Sequence, residues 1–441
     1  MSQSGGEATE EEKSASRQPS DGRMPKFWMI FFIALVAILF TIPFLVIWID
    51  LTALIWDSEF VTSNHWVVPV LVILFSVLVG LCVKYLKAET AIHGSISESV
   101  ESGAVETEYK KFPGSLASAY LSLISGASIG PEGALGALVR QITSWFLKLL
   151  KVKSKEGGLA MSVAALASAY NGIIGQPLFT SVFAVELLPN KKNALELMAW
   201  TLMAGVIGFL IYAGLGFVAF LGQVPMPPLE GDELYYIVEA IILGVLGGFL
   251  ALFMGACFKF FGKVMGRFDN RVVLRIFLAS LVIAAVAYFL PELMFSGEDQ
   301  IHDVLNDPAK YGVAMLLLFG VLKLVLLALS FKSGYLGGPI FPVLFGCTMI
   351  GLALNLAFPS VPLIIAVLCL EAAAIALVLG APLSAILLVT IVAETGQITP
   401  YLIALIVVAT VTSMLLGATL KKVMAKRKAS TGTETNVVRN P

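Results

Sequence analysis

Two short segments hold the residues best placed to do chemistry. In Gly130-Pro131-Glu132-Gly133-Ala134, a proline and an acid open an apolar run that continues to about position 150. Proline suits the first helical position, because the N–H it lacks would have no helical partner there. Pro131 therefore marks a helix start. Such an end carries unpaired N–H groups and a partial positive charge, and it attracts anions. Gly338-Pro339-Ile340-Phe341-Pro342 repeats the arrangement. Two such ends facing one another would make a cage of backbone amides around a dehydrated anion, with no need for lysine or arginine. Gly130, Gly133 and Gly338 are the candidate anion-holding residues at these two starts.

Glu132 is the acid nearest that cage. In the first turn of a helix facing water, it would only compensate the helix dipole. Buried at membrane depth, its carboxylate would compete with an anion for the same amides, closing the site when ionised and leaving it when protonated. Buried intramembrane acids are functional hypotheses by default. Glu186 and Glu394 end two further proline-led runs. Each suits an interfacial or backbone-binding role, and Glu186 is also a candidate proton relay. Ser95, in His93-Gly94-Ser95-Ile96-Ser97, is either a helix cap or a hydroxyl donor to an anion.

The elements that must position these residues are set by composition. The 441 residues are 58% hydrophobic and 13% charged, with a mean hydropathy of +0.89. A soluble domain carries about 25% charge, so most of this surface faces lipid. Apolar runs of about 20 residues, enough to span a bilayer, recur from Phe27 to Leu420. Long runs fall near 27–56, 66–86, 195–222, 234–262, 272–291 and 311–331. Shorter ones, interrupted by Gly and Pro, fall near 113–129, 132–150, 158–174, 177–188, 341–358, 361–380, 382–394 and 400–420. Segments too short to cross alone are typical of broken helices around a midplane site.

An internal repeat organises the chain. Ser125-Gly126 through Gly130-Pro131 and Ser333-Gly334 through Gly338-Pro339 share SGxxxGP, while Gly175 to Leu178 and Gly380 to Leu383 share GxPL. The two matches keep the same order at nearly the same offset. The basic loop 151–155 has an uncharged counterpart near 357–361, as expected of antiparallel copies. The expected fold is an all-α polytopic membrane protein of two inverted-topology repeats, with broken and re-entrant helices around a midplane anion site. Its parts are a disordered cytoplasmic tail (1–25), a first repeat (26–222), a second repeat (223–420) and a basic cytoplasmic tail (421–441). Positive charge at 84–87, 151–155, 191–192 and in both tails puts these on the cytoplasmic side. Loops 57–65, 225–233 and 292–307 then face outward.

Several classes are set aside. A net charge of −1 lacks the basic surface of a nucleic-acid binder. Cys82, Cys257, Cys347 and Cys369 lie singly in apolar runs, and His65, His93 and His302 share no ligand spacing, so no metal and no cofactor is expected. No nucleophile–base constellation suggests an enzyme, and no midplane carboxylate cluster suggests a cation-coupled solute carrier.

At these residues the chain resembles the CLC family of chloride channels and chloride/proton antiporters, as a divergent prokaryotic-type member without cytoplasmic regulatory domains. Gly130 to Gly133 is similar to the family's GREGP segment, whose glutamate is the gate, and Glu132 takes that place. Gly337 to Pro342 resembles GxFxP, whose amides bind chloride, with Ile340 and Phe341 as donors. Gly94-Ser95-Ile96 resembles the start of GSGIP, whose serine coordinates the central anion. The resemblance implies a homodimer in the cell membrane, with one chloride pathway per subunit. Pro131 stands where the family has arginine, and Pro339 where it often offers an N–H. Leu187 takes the place of the acid that relays the inner proton in antiporters, and residues 416–420 offer no tyrosine. These departures favour passive conduction of chloride or a related small anion over proton-coupled exchange.

Overall fold

The computed structural model describes residues 27–90, 108–152, 155–186, 194–222, 224–393 and 397–437. The expected N-terminal tail, Ser95, Leu187 and Glu394 lie outside them. In the first half the principal helices are α1 (Phe27–Trp56), α2 (Glu59–Ser63), α3 (Val67–Tyr85), α4 (Phe112–Ile124), α5 (Pro131–Leu149), α6 (Lys155–Ile174), α7 (Pro177–Glu186) and α8 (Ala194–Gly214). The second half adds α9 (Tyr235–Met265), α10 (Val272–Phe289), α11 (Glu298–Asn306), α12 (Pro308–Ser333), α13 (Ile340–Ala357), α14 (Leu363–Leu379), α15 (Pro382–Val392) and α16 (Pro400–Val437). The basic segment after Leu420 continues α16 as helix, since its Lys, Met, Ala and Arg residues all favour one.

The repeat extends well beyond its two motifs. Helix starts at Phe27 and Tyr235, Val67 and Val272, Pro131 and Ile340, Lys155 and Leu363, Pro177 and Pro382, and Ala194 and Pro400 are paired at offsets of 205–209. The copies also meet head to tail. Gly80, late in α3, packs on Val273, early in α10, with a Cβ placed on Gly80 3.1 Å from the Val273 Cα. Glu186, at the end of α7, bonds to Leu383 and Ser384 at the start of α15. Antiparallel contact between equivalent elements is the mark of inverted repeats related by an axis in the membrane plane.

Length decides which helices cross. Eight segments among the described residues are long and apolar enough to span a bilayer. At 1.5 Å per residue, the 10 residues of α7 and the 11 of α15 reach only about half of a hydrocarbon core of ~30 Å. They stay inside the protein, where irregular backbone between them can be satisfied. Helices α1, α3 and α9 each show exposed Phe, Leu, Ile or Val on one face and a buried face opposite, as lipid-facing helices do. By contrast α13 and α14 are buried along nearly their whole length. The interior helices and the broken ones surround one place, the junction of the SGxxxGP segments.

Candidate anion site

The two SGxxxGP segments pair with each other. The Gly130 N–H donates to the Gly338 carbonyl and the Gly338 N–H to the Gly130 carbonyl, both at 2.8 Å. These are equivalent residues of the two repeats, so the pseudo-two-fold axis passes between them. Pro131 and Ile340 then start α5 and α13 from that shared point.

Glu132 lies in the first turn of α5 and is 3% exposed. Its Oε1 accepts a hydrogen bond of 2.6 Å from the Ile340 N–H, the first amide of α13. The N–H groups of Phe341 and of Glu132 itself also face the carboxylate. Neither Pro339 nor Pro342 has an N–H to offer. Among residues 339–342, Ile340 and Phe341 are therefore the only donors at the start of α13. Oε2 of Glu132 has no hydrogen-bond partner among the described residues. A carboxylate thus sits where the positive end of α13 would hold an anion.

The frame leaves no slack. A Cβ on Gly133 would lie 2.2 Å from the Gly337 carbonyl oxygen, so only glycine lets the two backbones approach this closely. The Tyr170 hydroxyl donates to the Glu132 carbonyl at 3.2 Å. Deeper along α5, Arg140 pairs with the buried Glu89, and Gln141 donates to the other Glu89 oxygen at 2.6 Å. This network fixes the chain leaving α3 against α5. On the opposite side, Lys323 of α12 is fully buried, and its ammonium donates to the carbonyls of Leu293, Met294 and Phe295 at 3.1, 3.0 and 2.9 Å. It clamps the turn that leads into α11.

Of the residues singled out in the sequence, Glu132, Gly133, Ile340 and Phe341 come together with Gly130 and Gly338. One expectation changes. Gly130 and Gly338 do not offer free amides to an anion, because each N–H is taken up by the other's carbonyl; their part is to join the two helix starts. Glu186 lies elsewhere, at the start of α15, where its carboxylate accepts from the Leu383 N–H (3.1 Å), the Ser384 N–H (2.8 Å) and the Ser384 hydroxyl (2.6 Å). That is the backbone-binding role, played across the two halves.

Besides the paired Glu89, Arg140 and Arg275, three buried charged residues escaped notice in the sequence: Lys323, Glu298 and Glu371. Lys323 and Glu371 had a usable signal, each being a lone charge inside an apolar run. Glu298 had none, because an acid after Gly297 in a polar loop looks solvated. Among the described residues, no group of three or more His, Cys, Asp or Glu side chains could hold a metal ion.

Comparison with known proteins agrees with this geometry. A family model described as voltage gated chloride channel matches residues 75–414. An uncharacterized protein of Methanocaldococcus jannaschii is 25% identical over 224 residues, which is 49% of this chain and 53% of that protein, so the chain spans about half the length of this relative. The Escherichia coli protein YfeO, whose name describes ion transport, is 24% identical over 324 residues, 70% of this chain and 72% of its own. Among solved structures, a CLC-type fluoride/proton antiporter aligns with a TM-score of 0.68 at 18% identity, covering 93% of this chain and 97% of that one. A slow cyanobacterial Cl⁻/H⁺ antiporter aligns with a TM-score of 0.70 at 19% identity, covering 91% and 98%. These two establish a shared fold. With the family model matched over most of its length and eight segments fit to cross a bilayer, the chain is a multi-pass membrane protein and belongs to the voltage gated chloride channel family.

Proposed function

We propose that the protein conducts chloride or a related small anion passively across the cell membrane, through the amide cage at the starts of α5 and α13, with Glu132 as its gate. Anion transport is the business of the family; the gate is the finer claim. The observation that carries it is the Glu132 carboxylate on the Ile340 N–H at 2.6 Å. Ionised, the carboxylate occupies the amides an anion needs. Protonated, it is a poorer acceptor, since charge-assisted hydrogen bonds are roughly twice as strong as neutral ones, and an anion displaces it. Flux should therefore rise as pH falls.

A second form, chloride/proton antiport with Glu132 as the outer proton acceptor, has one supporting observation: both solved structures named above are of antiporters. Against it stand the three hydrogen bonds that occupy Glu186 at the α15 start. A homodimer with both termini cytoplasmic completes the proposal, on the family resemblance and on the basic loops.

The test is chloride efflux and proton uptake measured together in liposomes holding the purified protein. The proposal expects acid-stimulated efflux without stoichiometric proton uptake. Proton uptake driven by a chloride gradient would replace conduction with exchange. Absence of anion flux at every pH would overturn both.

A further inference from the structure

A second acidic feature lies beside the gate. One pocket is lined by Glu298 and His302 of α11, Phe341 of α13 and Glu371 of α14. Phe341 belongs to both, lining the pocket and turning its N–H to the Glu132 carboxylate. Glu298 is 9% exposed and Glu371 0%. In each, one carboxylate oxygen is held: Gly222 N–H donates to Glu298 at 2.9 Å, and the Thr348 hydroxyl donates to Glu371 at 2.7 Å. In each, the second oxygen has no hydrogen-bond partner among the described residues, as is also true of Glu132. Neither acid has an ion-pair partner among them. An isolated buried carboxylate is strongly disfavoured, so these groups are built to hold a proton and an open hydrogen-bonding position. A place in the first turn of α11 explains a surface acid, not one buried with an oxygen left over.

We propose that this pocket is the proton inlet of the gate, with Glu298 as the group that gives Glu132 its proton, Glu371 as a second proton-holding wall, and the half-buried His302 at its mouth. The inference rests on the gate proposed above. The transfer conserves charge and atoms. The O–H bond of the Glu298 carboxyl breaks, an O–H bond forms on Glu132, and Glu298 is left ionised until solvent returns a proton by way of His302. No electrons move.

The surroundings keep Glu298 protonated. Asp299 flanks Glu298 on its own helix with Asp303 and His302 facing Asp299 in turn, Glu132 faces Glu298 from α5, and Lys323 of α12 is engaged by the three carbonyls of 293–295. Helix α13 brings only the Cys347 thiol, which faces Glu371, while Glu239 of α9 faces Cys369 rather than Glu371. Helix α15 has no titratable side chain, and α16 has only Tyr401 before its basic run from Lys421 on. Glu298 lies outside the spanning segments, and burial pushes its carboxyl well above the ordinary carboxylate range. The Gly222 N–H opposes that, and the charges of Asp299 and Glu132 add to it. It therefore stays protonated beside the gate, and an ionised Glu132 adds to that hold, so the proton passes on only as solvent protons rise and refill Glu298.

The test is a drop in external pH imposed on liposomes, following how fast chloride efflux switches on. In Glu298→Gln the switch should slow about a hundredfold, the scale of losing one positioned proton donor. In Glu371→Gln, which removes a wall of the pocket and not the donor, it should slow less, about tenfold, below the range for a positioned donor. Glu132→Gln needs no proton and should conduct at every pH, and Glu132→Gln/Glu298→Gln should conduct as Glu132→Gln does. A single variant that switches as fast as the wild type would overturn the proposal. So would a double variant that has lost flux, since Glu298 would then be structural. Acid-dependent flux persisting in Glu132→Gln alone would overturn the gate instead, whatever the pocket variants did.

Discussion

Ile340 and Phe341 hold the Glu132 carboxylate with backbone N–H groups alone, and that choice decides what mutations can reveal. The donors have no side chain to remove, so the informative changes are those that move the acceptor. A Cβ on Gly338 would fall 2.4 Å from the Glu132 carboxyl, the flexible end of a side chain. Gly338→Ala is expected to push the carboxylate off its amides and raise chloride efflux at neutral pH by about tenfold, or 1.4 kcal/mol, in a liposome assay. Glu186→Ala should behave differently. It removes a helix cap at α15 and should cost about 1 kcal/mol of stability, read as a lower thermal midpoint in detergent. The pH dependence of efflux should stay that of the wild type; a lost or shifted pH response would restore Glu186 as a relay. Glu132, Ile340 and Phe341 were legible in the sequence because a proline inside an apolar run marks a helix start, and an acid beside it is costly in lipid unless that start holds it. The bonds of Gly130 and Gly338 were not, because they form between segments 208 positions apart. Lone charges such as Lys323 and Glu371 vanish when hydropathy is averaged over a window.

Elements carry the site by where they stop. Helices α5 and α13 begin at the site because Pro131 and Pro339 stand at their entrances, and Gly133 lets them touch. The Cβ of Gly133→Ala would meet backbone, 2.2 Å from the Gly337 oxygen and 2.6 Å from the Gly338 nitrogen, which cannot turn aside. The expected result is a loss of about 1–3 kcal/mol by overpacking together with loss of flux, in contrast to the gain at Gly338. Lys323→Met keeps the length of the side chain but leaves the carbonyls of 293–295 without their donor. Unsatisfied buried groups cost about 1–3 kcal/mol each, so its thermal midpoint should fall well below that of the wild type. The length and order of these helices were legible from apolar runs and Gly/Pro punctuation. The turn that Lys323 clamps was not, since it reads only as a polar loop.

The whole molecule is two copies of one pattern, inverted, meeting on an axis between Gly130 and Gly338. The repeat could be read from two short matches and a missing basic loop, and the helix starts extend it to both halves. Head-to-tail contact has a direct consequence. An ideal Cβ on Gly80 lies 3.5 Å from the Val273 Cβ, at the lower edge of the Cβ separation of about 3.5–4.5 Å in disulfides. Gly80→Cys with Val273→Cys, with the four native cysteines replaced, should cross-link on oxidation, seen as fragments that stay joined after cleavage in the 215–234 link. Parallel copies would leave them unlinked.

The axis matters for function because it makes the α13 amides reachable by an acid on α5. Bromide, heavy enough to be located by anomalous scattering, tests that most directly in crystals of Glu132→Gln and of the wild type at alkaline pH. The amide cage predicts a bromide within hydrogen-bond distance of the Ile340 and Phe341 N–H groups in Glu132→Gln, and the Glu132 carboxylate in that same position in the wild type. Bromide bound equally in both, or away from those two amides, would contradict it.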